Sequence, residues 1–312
     1  MILPIPSGTR DVLPDEMREL RALTEAMRRV FDEHGYGEVA TPALEYQSVL
    51  ERAGLLDAER AAYRLFDEHG EILTLRWDMT VPIARLVATR YASAQPPLRF
   101  AYFAHVYRDV RPQRGQPREL LQAGIELVGL PAPEGTAEAL TVLCRALDAT
   151  GLRDYRIGLG SASLYPGLMD ECRVPGSLRP QLLDHLARRD LVGLGRLIGE
   201  QGLDERLLTI PSLRGGVEVL DGAPVPLLRA LWEMLGDDVR ARVIFDLGLV
   251  RHLGYYTGAV FEVYDPALGA PIARGGRYDD LLGRFGRDLP AVGFALNVDR
   301  VHIALTGEER AR

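Results

Sequence analysis

The chain has 312 residues, an apolar fraction of 47% and a charged fraction of 26%, values typical of a globular protein. Its net charge of −7 disfavours a protein that must hold a long polyanion. The sequence contains no lysine, which excludes Schiff-base and phosphate-loop chemistry. No stretch approaches the roughly 18 apolar residues of a membrane span, and Cys144 and Cys172 belong to no metal-binding motif. We therefore expect a cytoplasmic protein without a metal or cofactor.

The first third of the chain alternates helical and extended patterns. We predict a helix from Pro14 that ends at Gly35, a strand at 37–45, a strand pair at 63–67 and 71–76, and a helix at 81–91. Pro42 removes a backbone donor, so its strand should lie at an edge, a bulge or an interface. Asp78 precedes the second helix and either caps it or faces the amine of a ligand.

Residues 98–128 predict a hairpin, with strands at 98–107 and 120–127. The loop between them contains the arginines Arg108, Arg111, Arg114 and Arg118, which form either a phosphate clamp or a solvated hairpin tip. On the returning strand, Gln122, Gly124 and Glu126 share one face because side chains alternate along a strand. A buried glutamate is costly unless it is paired, so a cationic ligand or an arginine should lie near Glu126.

The rest of the chain predicts an α+β fold with an insertion. We predict a helix at 136–150 and strands at 155–160, 243–246 and 259–264, and a final strand that leads into a helix carrying Arg300. Residues 163–238 have a leucine-rich helical pattern that interrupts the sheet. The core should therefore consist of 1–162 and 239–312, with a mostly helical insertion between them. The alternation in 259–264 fits a half-buried strand.

A turn rich in tyrosine and glycine precedes the strand at 259–264. Arg251, Tyr255 and Tyr256 lie in this turn, and Arg277 and Tyr278 follow soon after it. Such a group suits a small zwitterion, with a guanidinium for its carboxylate and phenols to enclose an aromatic or imidazole side chain. An ordinary sheet edge with arginine–tyrosine packing is the alternative.

These segments together resemble the class II aminoacyl-tRNA synthetases, and among them the histidyl-tRNA synthetase family, over nearly the whole chain. Residues 35–42 resemble the first class II motif, which lies at the dimer interface, while 107–115 resemble the second and 294–300 the third. Residues 251–256 and 275–279 resemble the two histidine-specific signatures. The resemblance implies an antiparallel sheet flanked by helices.

The departures from the synthetase pattern fall where ATP or the adenylate would lie. The synthetases have an arginine where this chain has Gln116 and a glutamate where it has Val110, which cannot accept a hydrogen bond from an adenine amine. The other departures are His252, Gly254, Arg274 and Asn297. The chain also ends where the synthetases begin an anticodon-binding domain, so no tRNA partner is expected.

The positions that match the histidine pocket are retained. By the resemblance, the histidine-binding residues are Asp78, Gln122, Glu126, Arg251, Tyr255, Tyr256 and Tyr278. Asp78 stands where the synthetases have a glutamate, which still allows it to meet an amino group. Arg108, Arg118 and Arg300 would be the remainder of a phosphate clamp.

The chain keeps the residues of the amino-acid pocket and lacks residues that contact the nucleotide in the synthetases. In this respect it resembles the regulatory subunits of ATP phosphoribosyltransferase. The resemblance implies a chain without catalysis of its own. It would dimerise, assemble with a short catalytic subunit into a hetero-octamer, activate the first step of histidine biosynthesis and carry feedback by L-histidine. Two alternatives stay open: an enzyme that still forms an aminoacyl-adenylate, and a class II relative that serves only as an interaction module.

Overall fold

A nine-stranded, mostly antiparallel sheet forms the centre of the computed structural model. The structure describes residues 4–55, 62–109, 117–249 and 255–311. The strands of the sheet lie in the order β1-β5-β6-β12-β11-β10-β7-β9-β8, and a small sheet has the order β2-β4-β3. Only the pairs β1–β5 and β7–β9 are parallel. The predicted α+β class with an antiparallel sheet flanked by helices is confirmed.

The strands are β1 Gly37–Glu38, β2 Leu44–Tyr46, β3 Arg64–Phe66, β4 Ile72–Leu75, β5 Leu98–Tyr107, β6 Glu119–Val128, β7 Arg156–Ser161, β8 Arg214–Gly215, β9 Val243–Asp246, β10 Ala259–Tyr264, β11 Ala273–Arg277 and β12 Ala291–Asn297. The α-helices are α1 Pro14–Glu33, α2 Gln47–Arg52, α3 Thr80–Arg90, α4 Glu134–Ala149, α5 Leu164–Glu171, α6 Arg179–Ala187, α7 Leu191–Glu200, α8 Arg206–Thr209, α9 Pro226–Met234, α10 Asp237–Arg240, α11 Leu281–Arg284 and α12 Val298–Ala311. No helix within the described ranges is long and apolar enough to cross a lipid bilayer.

The two faces of the large sheet carry different layers. Ala123, Ile125 and Leu127 of β6 belong to a core shared with α1, α4, α12 and the helices of 163–238. The alternate residues of β5 and β6 face a second cluster, which includes α3, α11 and the tyrosines at 255 and 278. Because successive side chains of a strand point to opposite faces, one face of the sheet is free to line a polar site while the other builds the main core.

Two predictions about strands were wrong. The strand predicted at 37–45 is divided between β1 of the large sheet and β2 of the small sheet, with Pro42, which lacks a backbone N–H, in the connection. Strand β10 is buried on both faces along its centre, where a half-buried strand was predicted. Its edges pair with β11 and β7, its residues Phe261 and Val263 pack in the main core, and its polar residue Glu262 is ion-paired to Arg274 at 2.9 Å.

Residues 163–238 fold mostly as helices α5 to α10, and their apolar side chains join the main core. Leu182, Leu194 and Leu228 are each at most 2% exposed within that core. The segment also supplies the edge strand β8, which the sequence pattern did not predict. Asp246 of β9 ties the segment to the sheet, since its carboxylate lies 2.9 Å from the guanidinium of Arg189.

Candidate functional site

Glycines on three neighbouring strands open a cradle in the second face of the large sheet. A Cβ atom at Gly293 of β12 would overlap the carboxylate of Glu126, which lies opposite it on β6. A Cβ at Gly124 would overlap the phenol of Tyr102, and one at Gly276 would crowd the ring of Tyr256. The absence of side chains at these glycines therefore allows large polar and aromatic groups to lie directly on the sheet.

Glu126 lies at the bottom of the cradle and is 1% exposed. Its Oε1 accepts a hydrogen bond from Thr80 Oγ1 at 2.7 Å, and its Oε2 accepts one from the hydroxyl of Tyr278. Burial raises the pKa of Glu126 to about 8; the two hydroxyl groups oppose that shift and the charge of Asp78 adds to it. The expected neighbouring arginine is not found among the described residues. Hydroxyl groups satisfy this carboxylate instead.

Asp78 is a second carboxylate of the same site, and the structure shows the first of its two predicted roles, that of a helix cap. Its Oδ1 accepts a hydrogen bond from the backbone N–H of Val81 at 3.2 Å, as a helix cap does. Its Oδ2 lies 3.4 Å from the hydroxyl of Tyr255. Burial raises the pKa of Asp78, and the Val81 hydrogen bond and the charge of Arg108 oppose that shift. A carboxylate in this position can receive an ammonium group.

Three tyrosines form one wall of the site. The ring centroids of Tyr255 and Tyr256 are 4.8 Å apart, and those of Tyr255 and Tyr278 are 5.8 Å apart in an edge-to-face arrangement. Burial raises the pKa of Tyr278 well above its ordinary value, so its hydroxyl stays protonated and can donate a hydrogen bond. Aromatic faces of this kind suit the planar side chain of a small ligand.

Gln122 lies on the same face of β6 as Glu126 and is 8% exposed. Its Oε1 has no hydrogen-bond partner within the part of the chain that the structure describes. A buried acceptor without a donor costs about 1–3 kcal/mol. A ligand that brings an N–H group to this position would remove that cost.

The arginines of the predicted phosphate clamp occupy one end of the sheet. The backbone N–H of Arg108 donates to the carbonyl of Arg118 at 2.8 Å, so these two residues are adjacent, and the Arg108 guanidinium lies 4.8 Å from the centre of the Trp77 ring. Arg300 lies in the first turn of α12, which follows β12, and its guanidinium donates to the carbonyl of Pro271 at 2.7 Å. Arg111, Arg114, Val110 and Gln116 lie outside the described residues, as does Arg251.

Arg277 does not belong to the cradle, although the sequence suggested it as a ligand for a carboxylate. It is 1% exposed, and its guanidinium contacts Asp279 and the carbonyl of Leu130, on the face of the sheet opposite Tyr278. Adjacent residues at the end of a strand point to opposite faces, so Arg277 and Tyr278 cannot share one pocket. The described residues also contain no group of His, Cys, Asp or Glu side chains that could hold a metal ion.

Sequence reasoning missed two members of the site, Thr80 and Tyr102. Thr80 lies in the first turn of α3 and reaches Glu126 across a separation of 46 residues, for which the sequence holds no signal. Tyr102 lies opposite Gly124 in the β5–β6 pair, and its hydroxyl donates to the carbonyl of Phe294 at 3.3 Å. The two-residue period along β5 could have placed Tyr102 on this face, had the register of the hairpin been known.

The raised pKa of Glu126 makes the stability of the unliganded protein depend on pH. Between the ordinary value of 4.5 and about 8, the folded state binds a proton at this residue that the unfolded state has lost. As the pH rises through this window, the free energy of unfolding should therefore fall by up to about 1.4 kcal/mol per pH unit. Urea unfolding of the wild type and of Glu126→Gln at several pH values measures the difference. Parallel pH profiles for the two proteins would contradict it.

Known proteins match this chain over nearly its whole length. The family model described as histidyl-tRNA synthetase matches residues 8–301. A protein of Desulforamulus reducens named ATP phosphoribosyltransferase regulatory subunit is 40% identical over 96% of this chain and 78% of its own length. A protein of Symbiobacterium thermophilum with the same name is 42% identical over 96% of this chain and 79% of its own length.

Solved structures show the same architecture. A structure from Bacillus halodurans, described as an ATP phosphoribosyltransferase regulatory subunit/histidyl-tRNA synthetase, superposes with a TM-score of 0.90 at 33% identity and covers 98% of this chain and 84% of that one. A histidine–tRNA ligase subunit from Alicyclobacillus acidocaldarius gives a TM-score of 0.83 at 33% identity and covers 99% of both chains. The fold is that of the class II synthetases. Within that class, the chain belongs to the histidyl-tRNA synthetase family and to its branch of ATP phosphoribosyltransferase regulatory subunits.

Proposed function

We propose that this chain is a non-catalytic regulatory subunit that binds L-histidine in the cradle and transmits its presence to a short catalytic subunit of ATP phosphoribosyltransferase. It would activate that partner in the first step of histidine biosynthesis, in the cytoplasm. The assembly would be a hetero-octamer that contains homodimers of this chain, with residues 35–42 at the dimer interface. The names of the relatives support the regulatory role, and the cradle supports the ligand.

The paired carboxylates are the observation that carries the choice of ligand. Asp78 is placed to receive an α-ammonium group, and Glu126 lies under the tyrosines, where it can accept from an imidazole N–H. The unpartnered Oε1 of Gln122 offers one more acceptor. Arg251, which lies outside the described residues, stays a predicted partner for the ligand carboxylate. Histidine supplies the donors and the planar ring that these groups require.

The nucleotide side of the sheet supports binding without adenylation. Arg274, where the synthetases have a glycine, extends across the sheet surface to Glu262, and the hydroxyl of Tyr264 also donates to that carboxylate. Burial and the charge of Arg274 both lower the pKa of Arg300, whose guanidinium is bound to a backbone carbonyl. In this proposal, these side chains fill part of the surface on which an adenylating relative would bind ATP.

Titration of this chain into a short catalytic subunit, with and without L-histidine, tests the regulatory role. Formation of phosphoribosyl-ATP should rise to a plateau at a fixed ratio of subunits and fall when histidine is added. The adenylating alternative rests on Arg108, Arg118, Arg251 and Arg300, of which Arg108 and Arg118 are adjacent in the structure. Histidine-dependent exchange of pyrophosphate into ATP at the rate of a synthetase would replace the proposal with that alternative.

Replacing Glu126 by alanine should weaken histidine binding by about 1 to 3 kcal/mol, because the variant loses an acceptor at the bottom of the cradle. Titration calorimetry measures the affinity of the folded variant. Glu71→Ala serves as the control, since Glu71 is exposed in the turn between β3 and β4. Equal affinities of Glu126→Ala and the wild type would remove the cradle as the histidine site.

A further inference from the structure

Glu126 is surrounded by hydroxyl groups and lacks a cationic partner among the described residues. Both of its oxygens accept hydrogen bonds, from Thr80 of α3 and from Tyr278 after β11. The opposite residue of β12 is Gly293, which contributes no side chain. The carboxylate is therefore held in one orientation by neutral donors alone.

The other titratable groups that face Glu126 do not supply the missing charge. Asp78, before α3, is a second carboxylate whose charge raises the pKa of Glu126. Tyr102 of β5 and Tyr278 are phenols whose pKa values burial raises, so both stay neutral. Among the described residues, Arg108 is the cation near these carboxylates, and its charge acts on Asp78. Within that part of the chain, two ionised carboxylates would thus face one arginine, which leaves the cradle one positive charge short.

We propose that the imidazole ring of the ligand binds in the cradle together with one proton. A nitrogen of the ring and the carboxyl group of Glu126 share this proton. This inference rests on the proposed function, in which the ligand is histidine. The proton comes from the Glu126 carboxyl group, from the ring or from water, and no other bond changes. In the complex, a ring with N–H on both nitrogens faces a carboxylate, and Thr80 and Tyr278 keep their hydrogen bonds.

Because of the shared proton, the affinity for histidine should be highest at an intermediate pH. Below about 6.5, the free ring and the empty pocket each carry a proton, so binding must release one. Above about 8, both have lost it, so binding must take one from the solvent. Affinity should fall by up to tenfold per pH unit on each side, with no net proton exchange between the two values. A neutral ring on an ionised Glu126 would instead release a proton near neutrality and show no uptake at high pH.

Calorimetric titration of the full chain with L-histidine in two buffers of different ionisation enthalpy counts these protons. At about pH 5.5, about pH 7.2 and about pH 8.5, we expect release of about one proton, no net exchange, and uptake of up to one. Glu126→Gln should lose the uptake at high pH, whereas Glu71→Gln, in an exposed turn, should behave like the wild type. Thr80→Val keeps the carboxyl group and removes a donor that lowers its pKa, so uptake should begin at a higher pH.

The possible outcomes separate the two proposals. Histidine binding without proton uptake at about pH 8.5, or with release at about pH 7.2, overturns the shared proton and leaves the proposed function intact. No binding of histidine at any pH overturns the proposed function and the shared proton with it. Uptake at about pH 8.5 that is as large in Glu126→Gln as in the wild type would assign the proton to another group, such as the α-amino group of the ligand, and also overturn the inference.

Discussion

Substitution of Gly293 by alanine is expected to reduce histidine affinity by at least about 100-fold, or about 3 kcal/mol. The new methyl group would overlap Oε2 of Glu126, the oxygen that accepts from Tyr278. The carboxylate would have to leave its place, and both of its hydroxyl partners would lose their acceptor. The methyl group would also approach the backbone carbonyl of Ile125, so stability should fall by about 1 to 3 kcal/mol.

Calorimetry with histidine and urea unfolding measure the two consequences of Gly293→Ala separately. Gly283→Ala is the matched control, because Gly283 is exposed in α11 and a Cβ there meets only Asp288 at 3.6 Å. The control should keep the affinity and the stability of the wild type. A folded Gly293→Ala protein with wild-type affinity would show that Glu126 does not contact the ligand.

Substitution of Arg277 by methionine is expected to lower the free energy of unfolding by about 2 to 4 kcal/mol. Methionine keeps much of the side-chain volume, but it leaves the carbonyl of Leu130 without the Arg277 donor and removes the ion pair of Asp279, whose Oδ1 still accepts from the N–H of Ala291. The backbone of Arg277 also binds the N–H of Thr257, next to the tyrosine turn. The substitution should therefore weaken histidine binding as well, although Arg277 lies on the other face of the sheet.

Arg274→Met provides the comparison for this prediction, since Arg274 lies on the same strand and is also ion-paired. Its side chain is 41% exposed, whereas that of Arg277 is 2% exposed. An ion pair exposed to water contributes about 0 to 1 kcal/mol, so Arg274→Met should change stability little. Denaturant unfolding that gave equal losses for the two variants would contradict the structural role assigned to Arg277.

The two-residue alternation of side chains along β6 correctly predicted which residues share one face of the candidate site. Gln122, Gly124 and Glu126 share one face of β6, as the alternation of polar and apolar residues predicted. The position of Asp78 before α3 was also correct, because a helix cap depends on local sequence. Such features involve residues within a few positions of each other, where geometry follows directly from the regular backbone.

Contacts between distant segments could not be predicted in this way. The sequence placed Arg277 with the tyrosines because it lies next to Tyr278, yet the end of β11 turns these neighbours to opposite faces. The sequence predicted a cationic ligand or an arginine beside Glu126 and did not predict the hydroxyl group of Thr80, which α3 supplies. In both cases the partner depends on the register of strands and on how helices pack over them, which no local pattern encodes.

By itself, the sequence determined the charge balance, the absence of lysine, the order of the main helices and strands, and the resemblance to the histidyl-tRNA synthetase family. Periodicity and motif spacing carry that information because they reflect local backbone geometry. Only the tertiary structure decided that Glu126 is satisfied by hydroxyl groups, that Gly293 makes room for its carboxylate, and that Arg274 pairs with Glu262 across the sheet surface. These depend on residues far apart in the chain that burial in one sheet brings together, and burial also sets the protonation of the carboxylates.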